Sequence, residues 1–201
     1  MPKEDITKLK EEYSKRIPEI KSRLLEFKNN KDFFYELCFC ILTPQSNAKK
    51  CYEAVQILKK KDFKNKSIGI KPILKSRTRF YKNKSAYLNL LKFNFSNIKN
   101  NLNGNALKNR EYLVKNVKGL SYKESSHCLR NVGYKDLAIL DRHILKNLHN
   151  LNVIEKIPKT LNRKKYIEIE SKFKSFSKRI NISMDELDLL FWSMETGEVF
   201  R

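Results

Sequence analysis

Residues 113–145 read LVKNVKGLSYKESSHCLRNVGYKDLAILDRHIL, and this stretch decides the fold. Tyr112, Leu113 and Val117 recur at helical spacing, and Gly119 then breaks the run with a residue free to take positive φ. A second helix is predicted to start near Ser121, with Ser125, Cys128 and Leu129 on one side. Gly133, after Asn131 and Val132, marks its stop. Asp141 stands just before Arg142, His143, Ile144 and Leu145, where the N-cap of a third helix belongs. The order is therefore helix, tight hairpin, helix, turn, helix.

An apolar residue, Gly119, one residue and then Ser121 form the pattern of a helix-hairpin-helix DNA-binding motif, placed near residues 107–131. Such a hairpin points backbone amides outward and holds a phosphate without reading sequence. Gly119 and Ser121 are thus the candidate phosphate contacts. Lys123 lies at the start of the second helix and Asp141 at the start of the third. An amine and a carboxylate, each at a helix start beside a phosphate-binding hairpin, are the candidate reactive pair. Each has a plainer alternative: a solvated lysine among many, and a capping aspartate worth ~1 kcal/mol.

The whole chain has 201 residues, with 43 Lys and Arg against 22 Asp and Glu, a net charge of +21. That excess predicts a polyanionic partner, nucleic acid before a membrane surface. No basic amphipathic segment with an exposed aromatic face appears. A thermophile-like lysine content explains part of the composition, but poorly explains the imbalance over Asp and Glu. No long apolar run predicts a membrane span, and the start MPKEDITKLKEEY lacks the apolar core of a signal peptide. The expectation is an intracellular protein, cytoplasmic or associated with the nucleoid. Cys38, Cys40, Cys51 and Cys128 make no CxxC pair and no zinc or iron–sulfur spacing, so they are expected to be buried thiols and no metal site is predicted.

The rest reads as helix, giving an all-α class with short connections. Residues 6–27 are expected to be a charged helix pair interrupted near Pro18. Phe33, Phe34, Leu37, Phe39, Ile41 and Leu42 form a helix apolar nearly all round, ended by Thr43 and Pro44. Gln45, Ser46 and Asn47 make a polar loop, followed by a helix over 48–60. Residues 69–75 are expected to be a loop around Pro72, residues 80–93 an amphipathic helix, and 97–105 a polar turn. Ser183 and Glu186 form a capping box, and Gly197 stops the last helix.

With these residues in hand, the chain resembles the HhH-GPD superfamily of DNA glycosylases. More narrowly, it is similar to the archaeal-type 8-oxoguanine DNA glycosylases, the second of the Ogg families. FFYELCFCILTPQSNA, SRTRFYKNKSAYL, VKGLSYKESSHCLRNVGYKDLAILDRHIL, IPKTLNRKKYIEIE and WSMETGEVFR carry the resemblance, in the family's order and over most of the chain. Ser121 stands where the family's hairpin usually has a second glycine, and Arg201 where it usually ends in lysine.

The resemblance implies a bifunctional DNA glycosylase/AP lyase that excises 8-oxoguanine by flipping the nucleotide. Lys123 would be the nucleophile and Asp141 its anionic partner. Gln45, with Asn47, would wedge into the gap left in the duplex. Trp192, Phe80, His127 and Arg201 would recognise the base. For Trp192 and Phe80 core packing is the alternative, for His127 a satisfied buried imidazole, and for Gln45 an ordinary polar loop. Carbonyls near Lys115, Val117 and Leu120 would suit a monovalent cation.

Two helical lobes are expected, residues 1–30 with 142–201 and residues 31–141, with an active cleft between them. The partner would be double-stranded DNA containing 8-oxoguanine, bound by a monomer without a cofactor and without a membrane. Two alternatives remain open. One is the same fold acting on another oxidised base or on abasic sites. The other is a non-enzymatic helix-hairpin-helix DNA-binding protein.

Overall fold

The structure is a computed structural model that describes residues 3–200. Among the described residues there are ten helices and no strand. The chain divides into two compact units: residues 1–30 with 129–201, and residues 31–128. Residues 129–141 thus fall with the terminal helices, not with the central unit to which the sequence pattern gave them.

In the central unit, α2 (Phe33–Leu42) is the spine, buried from Phe34 to Leu42 as an all-round apolar helix must be. It packs on α3 (Ala48–Lys60) and α5 (Tyr81–Asn100), and α4 (Lys71–Lys75) packs on both α3 and α5. The expected loop at 69–75 is this short helix, because Pro72 falls in its first turn, where a missing N–H removes no helical bond. The helix α5 also runs on through residues 97–100, since Phe95 and Ile98 extend its buried stripe beyond the polar Asn97. The turn proper covers 101–105, and α6 (Ala106–Asn116) follows, capped by Asn105. Cys38, Cys40, Cys51 and Cys128 are buried thiols that form no disulfide.

In the terminal unit, α10 (Met184–Thr196) is the centre and packs on α1 (Lys3–Asn29), α8 (Arg142–Asn150) and α9 (Arg163–Ile180). Its Ser183–Glu186 capping box is formed at one end, and Gly197 closes the other at φ 82°. The helix α1 is continuous through Pro18, contrary to the expected break. Pro18 is exposed, so water can take the carbonyl its missing N–H leaves open, while buried Leu9, Ile20 and Phe27 hold one face to the unit. The end of α7 (Tyr122–Arg130) is tied in by Arg130, which lies 4.6 Å over the Phe27 ring and 3.2 Å from Asp188 Oδ2.

Candidate functional site

The hairpin between α6 and α7 is built as its sequence dictates. Val117 and Leu120 are buried and pin its two sides, and Leu120 N–H donates to the Val117 carbonyl at 3.2 Å. Gly119 between them has φ 94°, and a Cβ there would lie 2.7 Å from Tyr87 Cδ2 on α5. Only glycine meets both constraints. The Ser121 carbonyl accepts the first bond of α7, from Ser125 N–H at 2.9 Å. Glu124 reaches back to the Ser121 amide at 3.2 Å and to its hydroxyl, as the glutamate of a capping box does.

Glu124 also holds Lys123, with Oε1 2.9 Å from Nζ. The Glu124 side chain is 8 % exposed and that of Lys123 29 %. Burial alone would push the Glu124 carboxyl up, but the Lys123 charge and the Ser121 and Lys123 hydrogen bonds outweigh it and bring it below the ordinary range. His127, one turn further along α7, packs edge-on against Phe39 with ring centroids 5.7 Å apart. That places His127 against the apolar spine of its unit.

Elsewhere in the central unit, Asn47 caps α3 by accepting from Lys50 N–H, and Gln45 is exposed with φ 54°. Phe80 precedes α5 with φ 56°, is 54 % exposed, and carries the Arg79 guanidinium 5.2 Å from its ring. An exposed ring is not core, so packing does not account for Phe80.

Asp141 belongs to the terminal unit. Its side chain accepts from His143 N–H at 2.8 Å and Ile144 N–H at 2.9 Å, the N-cap the sequence predicts. The extended segment before it, buried from Leu137 to Leu140, has its backbone satisfied by α9. Tyr166 Oη donates to the Ala138 carbonyl at 2.6 Å, and Ala138 N–H donates to Glu170 Oε1 at 2.8 Å. Asp141 is thereby fixed from both sides. Beside it an open depression of about 700 Å³ is lined by Arg142, His143, Lys146, Lys159 and Glu195 among others. Trp192 meets His143 edge-on at 5.3 Å, and its Nε1 is buried without a hydrogen-bond partner among the described residues. Arg201 lies outside the described residues.

The structure therefore brings Gly119, Ser121, Lys123, His127, Gln45, Asn47 and Phe80 into one unit, and Asp141 and Trp192 into the other. No group of three or more His, Cys, Asp or Glu side chains able to hold a metal occurs among the described residues.

The family model for 8-oxoguanine DNA glycosylase (Ogg-HhH) matches residues 13–182. The chain belongs to this family. The chain is 44% identical over 205 residues to the 8-oxoguanine DNA glycosylase/AP lyase of Fusobacterium nucleatum, covering 94% of each chain. The crystal structure of the Methanocaldococcus jannaschii 8-oxoguanine glycosylase/lyase in complex with a 15mer DNA containing 8-oxoguanine is similar to it with a TM-score of 0.88 and 39% identity, over 98% of this chain and 99% of that one. The 8-oxoguanine DNA glycosylase of Thermotoga maritima is similar with a TM-score of 0.88 at 29% identity, over 98% of each chain.

For an 8-oxoguanine DNA glycosylase, two side chains stand out that the sequence pattern did not single out. Glu124 had a readable signal, since Ser121 and Glu124 have the same capping-box spacing as Ser183 and Glu186. Lys84 had a weaker one: a lysine four residues before Leu88 and seven before Leu91, on a stripe otherwise apolar and buried.

Proposed function

We infer that this chain is a bifunctional DNA glycosylase/AP lyase that removes 8-oxoguanine from double-stranded DNA. The observation that carries the inference is the lysine–glutamate pair at the first turn of α7, directly after a hairpin that only Gly119 can close, in a chain of the 8-oxoguanine DNA glycosylase family.

Binding begins with charge. The net charge of +21 attracts the duplex, and the hairpin holds one phosphate. Because Glu124 occupies the Ser121 amide, the exposed Gly119 is the better phosphate contact of the two. The target nucleotide then rotates out of the stack, which costs roughly a few kcal/mol. Gln45, with Asn47 fixing the loop behind it, fills the gap.

Lys123 is the nucleophile. Its uncharged amine attacks C1′ of the sugar, and the glycosidic C–N bond breaks with its electron pair leaving on the base, which takes up a proton. The sugar ring opens to give a Schiff base between Lys123 Nζ and C1′. Loss of a proton from C2′ then expels the 3′ phosphate, and water releases the cut strand from the lysine. Glu124 is the group that orients the Lys123 amine, since it already holds that amine. Asp141 stabilises the positive charge that builds on the sugar. Phe80 and Trp192 offer aromatic surface to the base, worth ~1–3 kcal/mol for a stacked ring, and His127 and Arg201 are further candidates for recognition. The protein acts as a monomer inside the cell and needs no cofactor for these steps.

The test is excision from a duplex carrying one 8-oxoguanine, against the same duplex with guanine, with borohydride present in a parallel sample. Release of the oxidised base only, with covalent attachment of protein to DNA, is the expected result. Attachment without release of 8-oxoguanine would assign a different lesion. Tight binding with neither release nor attachment would leave a DNA-binding protein.

A further inference from the structure

A polar knot in the central unit plays no part in the chemistry above. Lys84 is only 5 % exposed. Its Nζ donates to the Leu42 carbonyl at 2.7 Å, the Pro44 carbonyl at 2.7 Å and Thr78 Oγ1 at 2.8 Å, and lies 3.1 Å from Ser46 Oγ. An ammonium has three hydrogens, so these oxygens exhaust it. The oxygens are also joined to one another. Thr78 Oγ1 donates to the Leu42 carbonyl at 2.8 Å and meets Ser46 Oγ at 3.0 Å, and Ser46 Oγ accepts from Arg79 N–H at 3.0 Å.

The knot ties the loop at 43–47, which follows α2, to the turn at 76–80, which precedes α5. Each tied segment carries one non-glycine residue in the left-handed region with its side chain exposed: Gln45 at φ 54° and Phe80 at φ 56°. Such backbone persists only where its surroundings over-determine it, and it concentrates at functional sites. The knot supplies that over-determination for both residues.

We propose that Lys84 is a positioning residue, whose buried ammonium locks the 43–47 loop and the 76–80 turn in the shape that presents Gln45 and Phe80 to DNA. The proposal rests on the reading above, in which Gln45 fills the space of the rotated nucleotide. A loop set in advance spares its ordering cost at the moment of flipping. The groups that face the ammonium are Cys51 from α3, Glu124 and Lys123 from α7, and Arg79 from the turn. Burial pulls Lys84 down to about 8; Cys51 and Glu124 support the charged form, and Lys123 and Arg79 oppose it. The full set of three N–H donors is therefore present at neutral pH.

Two substrates separate this role from a merely structural one. Duplex 8-oxoguanine requires flipping and a wedge. An abasic site in a single strand, trapped with borohydride, requires the nucleophile but no flipping. Lys84→Met keeps an unbranched side chain and removes the ammonium. Single-turnover excision from the duplex is expected to fall about 10- to 100-fold, the scale of an ångström-sized misplacement, while single-strand trapping stays within about two-fold.

Equal loss on both substrates would overturn the proposal, since Lys84 would then serve the fold or the nucleophile. Unchanged duplex excision would overturn it as well, with the glycosylase reading intact. A wild-type chain that leaves duplex 8-oxoguanine untouched would refute that reading, and the proposal with it, before any substitution is made. Should Lys84→Met fail to melt cooperatively, Ser46→Ala removes one oxygen of the knot and leaves three for the ammonium. Duplex excision is then expected to drop about three-fold with trapping unchanged, and an unaltered rate would overturn the proposal.

Discussion

Lys84 and Lys123 lie in the same unit and bear the same amine, but differ in how many oxygens surround it. Lys84 is 5 % exposed and meets four oxygens within 3.1 Å. Lys123 has a side chain 29 % exposed and one carboxylate oxygen at 2.9 Å. An amine whose hydrogens are all engaged can hold backbone in place, but it has no direction left in which to meet a sugar. An amine held by one acidic neighbour can still turn toward a substrate. On the function proposed above, the contrast teaches that incomplete satisfaction, not burial, sets the nucleophilic lysine apart.

The sharpest way to break the comparison is to remove the under-satisfied amine. Lys123→Gln is expected to lower excision at least about 1,000-fold, as loss of a nucleophile does. Binding to the duplex should stay within about three-fold in a gel-shift titration, because one charge among many phosphate contacts is lost. Undiminished excision would mean that another amine attacks.

Asp141→Asn asks whether the aspartate is more than a cap. Asparagine caps helices about as well, so stability should move by only a few tenths of a kcal/mol. Excision should nonetheless fall about 100-fold if Asp141 has the role proposed above, because its charge is gone. Equal effects on melting and rate would reduce Asp141 to its capping role.

The Lys84→Met experiment follows at about 10- to 100-fold on duplex DNA alone. Next comes the hairpin itself. Gly119→Ala faces a left-handed backbone and the Tyr87 ring at 2.7 Å, so it should destabilise the fold by about 2 kcal/mol and lower the melting temperature by roughly 4–8 °C. An unshifted melting curve would show that the hairpin opens without cost.

The smallest expected effect is on pH. The folded value of Lys84, about 8, lies below its ordinary 10.5, so between the two the unfolded chain binds more protons and the contribution of this group to stability rises with pH. Loop order moves the other way, because deprotonation removes one N–H from the knot. Flipping, read from a fluorescent base analogue beside the lesion, should slow about three-fold above about pH 8 without a matching fall in the melting temperature. In Lys84→Arg, which keeps its charge, that step should disappear.

Much of this was legible in the sequence, for local reasons. Gly119, the Asp141 cap, the Ser183–Glu186 box and the Gly197 stop all depend on a few neighbouring residues, and the structure has them as read. Pro18 misled, because a proline on the exposed side of a long helix loses little when the buried face continues. Pro72 misled for the opposite reason, since it starts a helix instead of excluding one. Glu124 carries a readable capping-box spacing from Ser121, close to the more conspicuous glycine and lysine. Lys84 was hidden by composition. Among 43 lysines and arginines, its distinction lies in a tertiary network that joins residues 42, 44, 46 and 78, and no window of sequence contains that.

The most direct measurement is the position of the covalent bond. Wild-type protein would be incubated with duplex 8-oxoguanine and borohydride, digested, and the modified peptide sequenced by mass spectrometry. A sugar remnant on Lys123 Nζ is the predicted result. A remnant on Lys84, on any other lysine or on the N-terminal amine would contradict the assignment of the reactive group to the first turn of α7.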